Sequence, residues 1–274
     1  MLSIISFVCT LFGQPGYPVG EKINLDDYEL VWSDEFDGDS LDTTKWDKAW
    51  WKPVSVDVRK GGYWTLATTS VKDGCLHIGT RYYENGPFGN SAAGWYTGGI
   101  ETQYKFETTY GYFETRCILP KGAGIWSAFW LMGRGVENID GSGVDGTEID
   151  VFESAYYSDG KNSDTVSSAL HYDGYDESHK QTTVHRTHVY GSNPYEEFNT
   201  YGVKWTEKEY IFYINGVECG RSTFGGVCKN DLYLLLSVEV GGNDGVPAKS
   251  WAGEAIKQDA EPTDFIVDYV RVYK

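Results

Sequence analysis

The sequence predicts an all-β protein, an antiparallel sandwich or barrel, and three observations carry that prediction. Short runs rich in Val, Ile, Tyr, Phe and Trp recur along the chain with turn residues between them. No long stretch shows helical periodicity, so strands do not alternate with helices and a parallel βαβ sheet is excluded. The composition, with 33 Gly, 21 Tyr and 10 Trp, favours strands, tight turns and stacking surfaces. At 274 residues and 41% hydrophobic, the chain can bury one large core. It has no repeat, low-complexity tract or linker, so one domain over residues 28–274 is expected.

Residues 1–13 carry no charged side chain, and Leu2 to Phe12 is apolar. That run has signal-peptide length and is too short to span a bilayer, so secretion is expected. A buried N-terminal segment is the alternative. Residues 14–27 form a Gly/Pro-rich lead. Strands are then expected at 28–32, 63–67, 75–82, 99–106, 111–119, 125–132, 147–153, 166–172, 199–205, 209–214, 232–240 and 265–273, with Asn215-Gly216 as a hairpin turn.

The stretch from Gly146 to Ser154 concentrates the chemistry. Residues two apart on a strand share a face, so Glu148 and Asp150 point the same way. Glu153 would fall on the other face unless one extra residue, a β-bulge near Val151-Phe152, restores the parity. Gathering three carboxylates raises the proton affinity of each, which proteins tolerate mainly where shifted pKa values are used. A solvent-facing acidic strand is the plainer reading. Asp140 and Asp145 before it read as turn residues.

A formal net charge of -17 argues against nucleic acid or an anionic membrane as partner. Trp126 and Trp130 are four apart on an expected strand and share a face with Ala128 and Met132, while Ile125, Ser127, Phe129 and Leu131 line the other. If one face is core, the other can be the floor of a cleft, where flat aromatic rings stack on flat apolar ligand faces; two core tryptophans are the alternative. Trp95, Tyr172, Trp205 and Trp251 are further aromatic candidates. His179, His185 and His188 lie in a polar segment without acid or thiol partners at metal-ligand spacing. Of the cysteines, Cys219–Cys228 and Cys75–Cys117 could pair; four free thiols are the alternative.

Glu148-Ile149-Asp150-Val151-Phe152-Glu153 resembles the Glu–(Ile/Leu/Val)–Asp–x–x–Glu signature of glycoside hydrolase family 16 in its bulged form. Further matches follow in the family's order, from about residue 28 to the C-terminus. They are Val31 to Phe36, Gly98 to Thr102, Tyr110 to Arg116, Gly124 to Met132, His171-Tyr172 and Val267 to Tyr273. The resemblance implies a concanavalin-like (lectin-like) jelly roll of two curved antiparallel sheets with a concave substrate cleft. It implies retaining hydrolysis of a glycosidic bond, with Glu148 as nucleophile, Glu153 as acid/base and Asp150 as the neighbour beside Glu148. Residue types alone leave the two glutamate roles interchangeable.

The resemblance also places His171 near the reactive centre. It suggests a structural calcium held by Glu35 and Asp268, for which a salt-bridge role is the alternative. No cofactor is implied for catalysis. The implied activity is a secreted, monomeric endo-β-1,3(4)-glucanase acting on a polysaccharide. The alternatives are an endo-hydrolase of agar- or porphyran-type galactans and a non-catalytic carbohydrate-binding sandwich. One departure stands out: residues 236–243 read Leu-Ser-Val-Glu-Val-Gly-Gly-Asn where many laminarinase-like members carry Asn-x-Ala-Val-Gly-Gly. Glu239, in phase with Ser237, would bring a further acid near the cleft.

Overall fold

The computed structural model describes residues 20–49, 58–156, 164–256 and 262–274. The export signal expected at 1–13 and the first part of the lead lie outside these residues. An eleven-stranded and an eight-stranded sheet carry almost all the regular structure. The eleven-stranded sheet runs Val217–Ser222, Tyr210–Ile214, Asn199–Trp205, Gly111–Ile118, Thr263–Tyr273, Cys75–Tyr83, Gly94–Thr97, Gly62–Trp64 and Val58–Arg59, with Leu30–Asp34 and Thr69–Lys72 paired off this path. The eight-stranded sheet runs Lys180–His188, Thr165–Tyr172, Glu148–Ala155, Ile125–Met132, Leu232–Val240, Gly99–Glu101 and Asp47–Lys48, with Glu107–Thr108 on Leu232–Val240. Every pairing in the two sheets is antiparallel except Gly62–Trp64 with Gly94–Thr97. Among the described residues the only helical turns are two short 3-10 segments, Leu66–Thr68 and Arg134–Glu137.

The two sheets face each other across one core. Phe113, Val203, Phe265, Val267 and Val270 project from one side, and Phe129, Leu131, Ile149, Phe152, Leu234 and Leu236 from the other. The alternation of the strand Ile125–Met132 works as its sequence predicts. Ile125, Phe129 and Leu131 enter this core, whereas Ala128, Trp130 and Met132 pack on the opposite face with Trp64, Tyr233 and Leu235. Leu232–Val240 is buried at all nine positions because both of its faces are covered.

Local sequence explains the sharper features. Asn215 (φ 50°) and Gly216 (φ 73°) adopt the left-handed conformations that a tight hairpin turn requires, and Asn215 Oδ1 accepts the Thr200 N–H at 2.9 Å. Gly146 lets the strand Glu148–Ala155 begin against the turn Arg134–Glu137, since a Cβ there would stand 2.2 Å from the Gly135 carbonyl carbon.

Three expectations need correction. The strand Lys180–His188 occupies the polar segment holding His185 and His188, where the sequence predicts no strand. The run expected at 99–106 stops at Glu101 and turns, with Tyr104 at φ 63° and Lys105 N–H donating to Thr102 O. All four described cysteines are free thiols. Cys219 Sγ lies 3.1 Å from His185 Nε2 and contacts the Phe212 carbonyl, whereas Cys228 is buried with its thiol toward the Asn230 carbonyl, so the expected pair looks in different directions.

Candidate active site

A β-bulge decides what the strand Glu148–Ala155 presents. Against Ile125–Met132, Phe129 pairs with Phe152 and Trp130 with Asp150, so Val151 is the extra residue. Against Thr165–Tyr172, the register shifts over the same interval, between Asp150 and Glu153. Ile149, Val151 and Phe152 all enter the core. With two consecutive side chains taken inward, Glu148, Asp150 and Glu153 are left together on the other face.

Glu148 and Glu153 border a hollow of about 290 Å³ lined also by Arg59, Lys60, Trp126, His171, Tyr175, His179, Gln181, Glu239 and Trp251. Glu148 is buried at 8% exposure and Asp150 at 4%. His171, opposite Glu148 on the neighbouring strand, reaches into the cluster, with Nε2 at 3.0 Å from Asp150 Oδ2 and 4.0 Å from Glu148 Oε1. The Tyr175 hydroxyl donates a short hydrogen bond to Glu148 Oε2. Tyr175 follows a turn made by Asp173 (φ 61°) and Gly174 (φ 70°). That turn is tied down by Gly174 N–H on Val136 O, and by Asp173 accepting the Asp140 and Gly141 amides.

Electrostatics separates the two glutamates. Burial, then the charge of Asp150, pushes Glu148 up from 4.5 to about 7, while His171, the Tyr175 hydrogen bond and Arg59 hold it back. Glu153 goes well above the ordinary glutamate value through burial and the charges of Asp150, Glu148 and Glu239, with the positive charge of His171 opposing them. Burial alone would lower His171, but its hydrogen bond to Asp150 and the surrounding carboxylates raise it from 6.5 to about 9. His171 is therefore an imidazolium at neutral pH. It donates from Nδ1 to His179 Nε2 at 2.9 Å, and His179 is kept neutral by burial and by the positive charge of His171.

The aromatic candidates divide. Trp126 lines the hollow at 7% exposure, its ring 5.4 Å from that of Trp251, and it pairs in register with Glu239 on one side and Ala155 on the other. Trp130 shares that face but borders a separate small hollow with Trp64, Glu101 and Tyr233, and its Nε1 donates to Ser237 Oγ at 3.1 Å. Three candidates are corrected. Trp205 is 1% exposed in the main core and donates to Cys228 O; Trp95 is in the same core, edge-on to Tyr82. Tyr172 follows His171, so the pleat sends it to the opposite face, where it packs on Phe224.

The calcium expectation also meets an obstacle. Glu35 is gripped by Arg271 (Nε–Oε1 3.1 Å, Nη2–Oε2 2.8 Å) and Asp268 by Arg116 Nη1 at 2.5 Å. Each carboxylate already faces its own guanidinium, so the pair as placed does not fit a calcium ion. Among the described residues, the one group of three metal-ligating side chains within mutual reach is Glu148, Asp150 and His171. It is the carboxylate cluster of the bulged strand with its histidine neighbour. His185 turns instead to Ser168 and Cys219, and His188 lies beside Tyr190.

Sequence reasoning missed Tyr175 and Arg59. A tyrosine in a loop and an arginine at a strand end carry no spacing signal.

The family model described as the β-porphyranase A–D domain of glycoside hydrolase family 16 matches residues 29–274. The chain is 28% identical over 274 residues to glucan endo-1,3-β-glucosidase A1 of Niallia circulans, covering 89% of this chain and 38% of that one. It is 29% identical over 220 residues to β-porphyranase B of Zobellia galactanivorans, covering 76% and 72%. The laminarinase catalytic domain of Thermotoga maritima superposes with a TM-score of 0.70 at 26% identity, covering 90% of this chain and 98% of that domain. The chain spans 33% to 47% of the length of three of its curated relatives. No helix among the described residues is long and apolar enough to cross a membrane. With the acid cluster, the cleft and the match all falling within residues 29–274, this chain belongs to glycoside hydrolase family 16, a family of endo-acting glycanases.

Proposed function

We propose that this chain is a retaining endo-β-1,3(4)-glucanase that works by double displacement. The observation that supports it most is the bulged strand, which sets Glu148 and Glu153 side by side in unequal electrostatic surroundings. Glu148, with Tyr175, His171 and Arg59 favouring its anion, is the nucleophile. Glu153, held protonated by burial and by like charges, is the acid.

In the first step a Glu148 oxygen bonds to the anomeric carbon, the bond to the leaving sugar oxygen breaks, and the Glu153 proton moves to that oxygen. In the second, Glu153 as carboxylate takes a proton from water, whose oxygen bonds to the anomeric carbon and expels Glu148. Asp150 stays beside the nucleophile with its charge balanced by the His171 imidazolium. Trp126 and Trp251 supply ring faces for the sugars. The glucan reading draws on the glucanase relatives, and a polymeric substrate suits export by the apolar N-terminal stretch. An endo-galactanase is the second reading, drawn from the porphyranase description of the family model.

Chemical rescue tests the role assignment. With an activated glycoside and azide, Glu148→Ala should give the inverted α-glycosyl azide, because azide enters the vacated face. Glu153→Ala should give the β-glycosyl azide by displacing the glycosyl-enzyme. The reverse pattern exchanges the roles. Unrescued variants with full activity would move the active site elsewhere.

A further inference from the structure

Glu239 is the acid that the sequence places where many laminarinase-like chains carry no charge. Its side chain is 4% exposed and lines the same hollow as Glu148, Glu153 and His171, directly across the strand pair from Trp126. Its two oxygens are treated differently. Oε1 accepts both Arg59 Nε at 2.9 Å and Arg59 Nη2 at 2.5 Å, whereas Oε2 is buried with no hydrogen-bond partner. A buried acceptor left without a donor is costly, and a carboxylate so placed beside a ligand groove keeps an empty position for a donor from the ligand.

We propose, on the glycosidase reading above, that Glu239 is a specificity-determining residue. Its Oε2 accepts a hydrogen bond from a free hydroxyl of the sugar lying on Trp126, which restricts the enzyme to glycans unsubstituted at that hydroxyl. A carboxylate can accept but not donate, so only a group carrying a proton completes it. A methyl ether has no proton to give. A sulfate ester has none either, and adds a negative charge next to Glu239, Glu148 and Asp150. Arg59 does not reverse this preference, because its guanidinium is held on Glu239 Oε1 and lies 5.1 Å from the centre of the Trp64 ring. The selected class is therefore a neutral polysaccharide. A site built to pair a hydroxyl discriminates strongly against analogues that lack it, because its own polar atom is then stranded.

The test uses the whole chain, wild type and two variants, with laminarin, mixed-linkage glucan, agarose, porphyran and a partly O-methylated preparation of the neutral polymer as substrates and kcat/KM as readout. Wild type should cleave neutral polymer and leave sulfated porphyran essentially untouched. Glu239→Ala should lose about 100-fold on the neutral substrate, the size of a lost hydrogen bond to a charged acceptor. Glu239→Gln is the sharper variant. Its amide oxygen can remain on Arg59 while the amide nitrogen turns a donor into the groove, so activity on native polymer should fall while activity on the partly O-methylated polymer rises relative to it. A merely structural role would lower all substrates alike together with the unfolding midpoint. Uniform loss, an unaffected Glu239→Ala, or a wild type that prefers porphyran overturns the proposal. Cleavage of agarose but no glucan would remove the glucanase reading and leave Glu239 standing; cleavage of glucan with an indifferent Glu239→Gln would do the opposite.

Discussion

The carboxylates of this protein live in two regimes, and the contrast shows what turns an acid into a reagent. On the eleven-stranded sheet, Glu35 sits on Arg271 and Asp268 on Arg116, each pair partly exposed. In the cleft, Glu148, Asp150 and Glu153 crowd one face of one strand, with a single imidazolium among them. Glu35 is accordingly lowered, first by its hydrogen bond to Arg271, while Glu148 and Glu153 are raised by burial and then by the charge of Asp150. The residue types are the same. Burial and partner decide whether a carboxyl holds a charge or waits with a proton.

Neutralising the cleft should break this contrast most visibly. On the double-displacement proposal, in which nucleophile and acid act as a unit, Glu148→Gln is expected to cut turnover about a thousandfold or more. The same change removes one of several crowded charges and should raise stability by about 1 kcal/mol, the usual trade between a strained site and a stable fold. Thermal unfolding and initial rates measured on one preparation check both; a variant that loses activity and stability together would mean that Glu148 holds the fold.

Acidity offers a second handle, because the two regimes respond to pH with opposite sign. Glu148 is raised from 4.5 to about 7, so the folded protein holds that proton more tightly than the unfolded chain. The stability it contributes is complete below about 4.5 and is lost as pH rises through about 7. Glu35 is lowered below 4.5, so its contribution is present above that value and is lost as pH falls through the lower folded value. Unfolding midpoints from about pH 3 to about pH 9 should show the alkaline loss shrinking in Glu148→Gln and the acid loss shrinking in Glu35→Gln. The reverse assignment would contradict the electrostatic picture of the cleft. In activity, a bell-shaped profile is expected whose acid limb lies above the ordinary glutamate range, with limbs that belong to the coupled pair.

The smallest effect is expected on the other sheet. Glu35→Gln should cost no more than about 1 kcal/mol, as for other exposed ion pairs, and leave kcat/KM unchanged. A larger loss, restored by added calcium, would show that Glu35 serves a metal after all.

Much of this was legible in the sequence. The parity of Glu148 and Asp150, the odd spacing of Glu153 and the apolar Val151-Phe152 between them required the bulge, and alternation set Trp126 apart from Phe129. Other features follow from where an element sits in the sheets, which residue types do not record. Trp95 and Trp205 look like sugar platforms by type, yet their strands turn those positions into the core; the phase of Tyr172 against His171 was a usable warning. Lys180–His188 hid as a strand because Lys, Arg, Thr and His alternate there instead of apolar residues. Tyr175 reaches Glu148 only through the turn at Asp173 and Gly174, a path set by tertiary contacts with Val136 and Gly141.

The position of Thr263–Tyr273 carries a consequence for how the molecule assembles. This last strand lies in the middle of its sheet, between Gly111–Ile118 and Cys75–Tyr83, and also pairs with Leu30–Asp34. The strands Leu30–Asp34, Cys75–Tyr83 and Gly111–Ile118 can therefore join into one sheet only once Thr263–Tyr273, far along the chain from all three, is in place. Pairing across so many residues is slow, and until it happens the apolar faces of Leu76, Ile78 and Phe113 have no cover. The folding chain is thus most exposed to aggregation until Thr263–Tyr273 docks, and helpers that bind extended apolar segments would act on it in that interval.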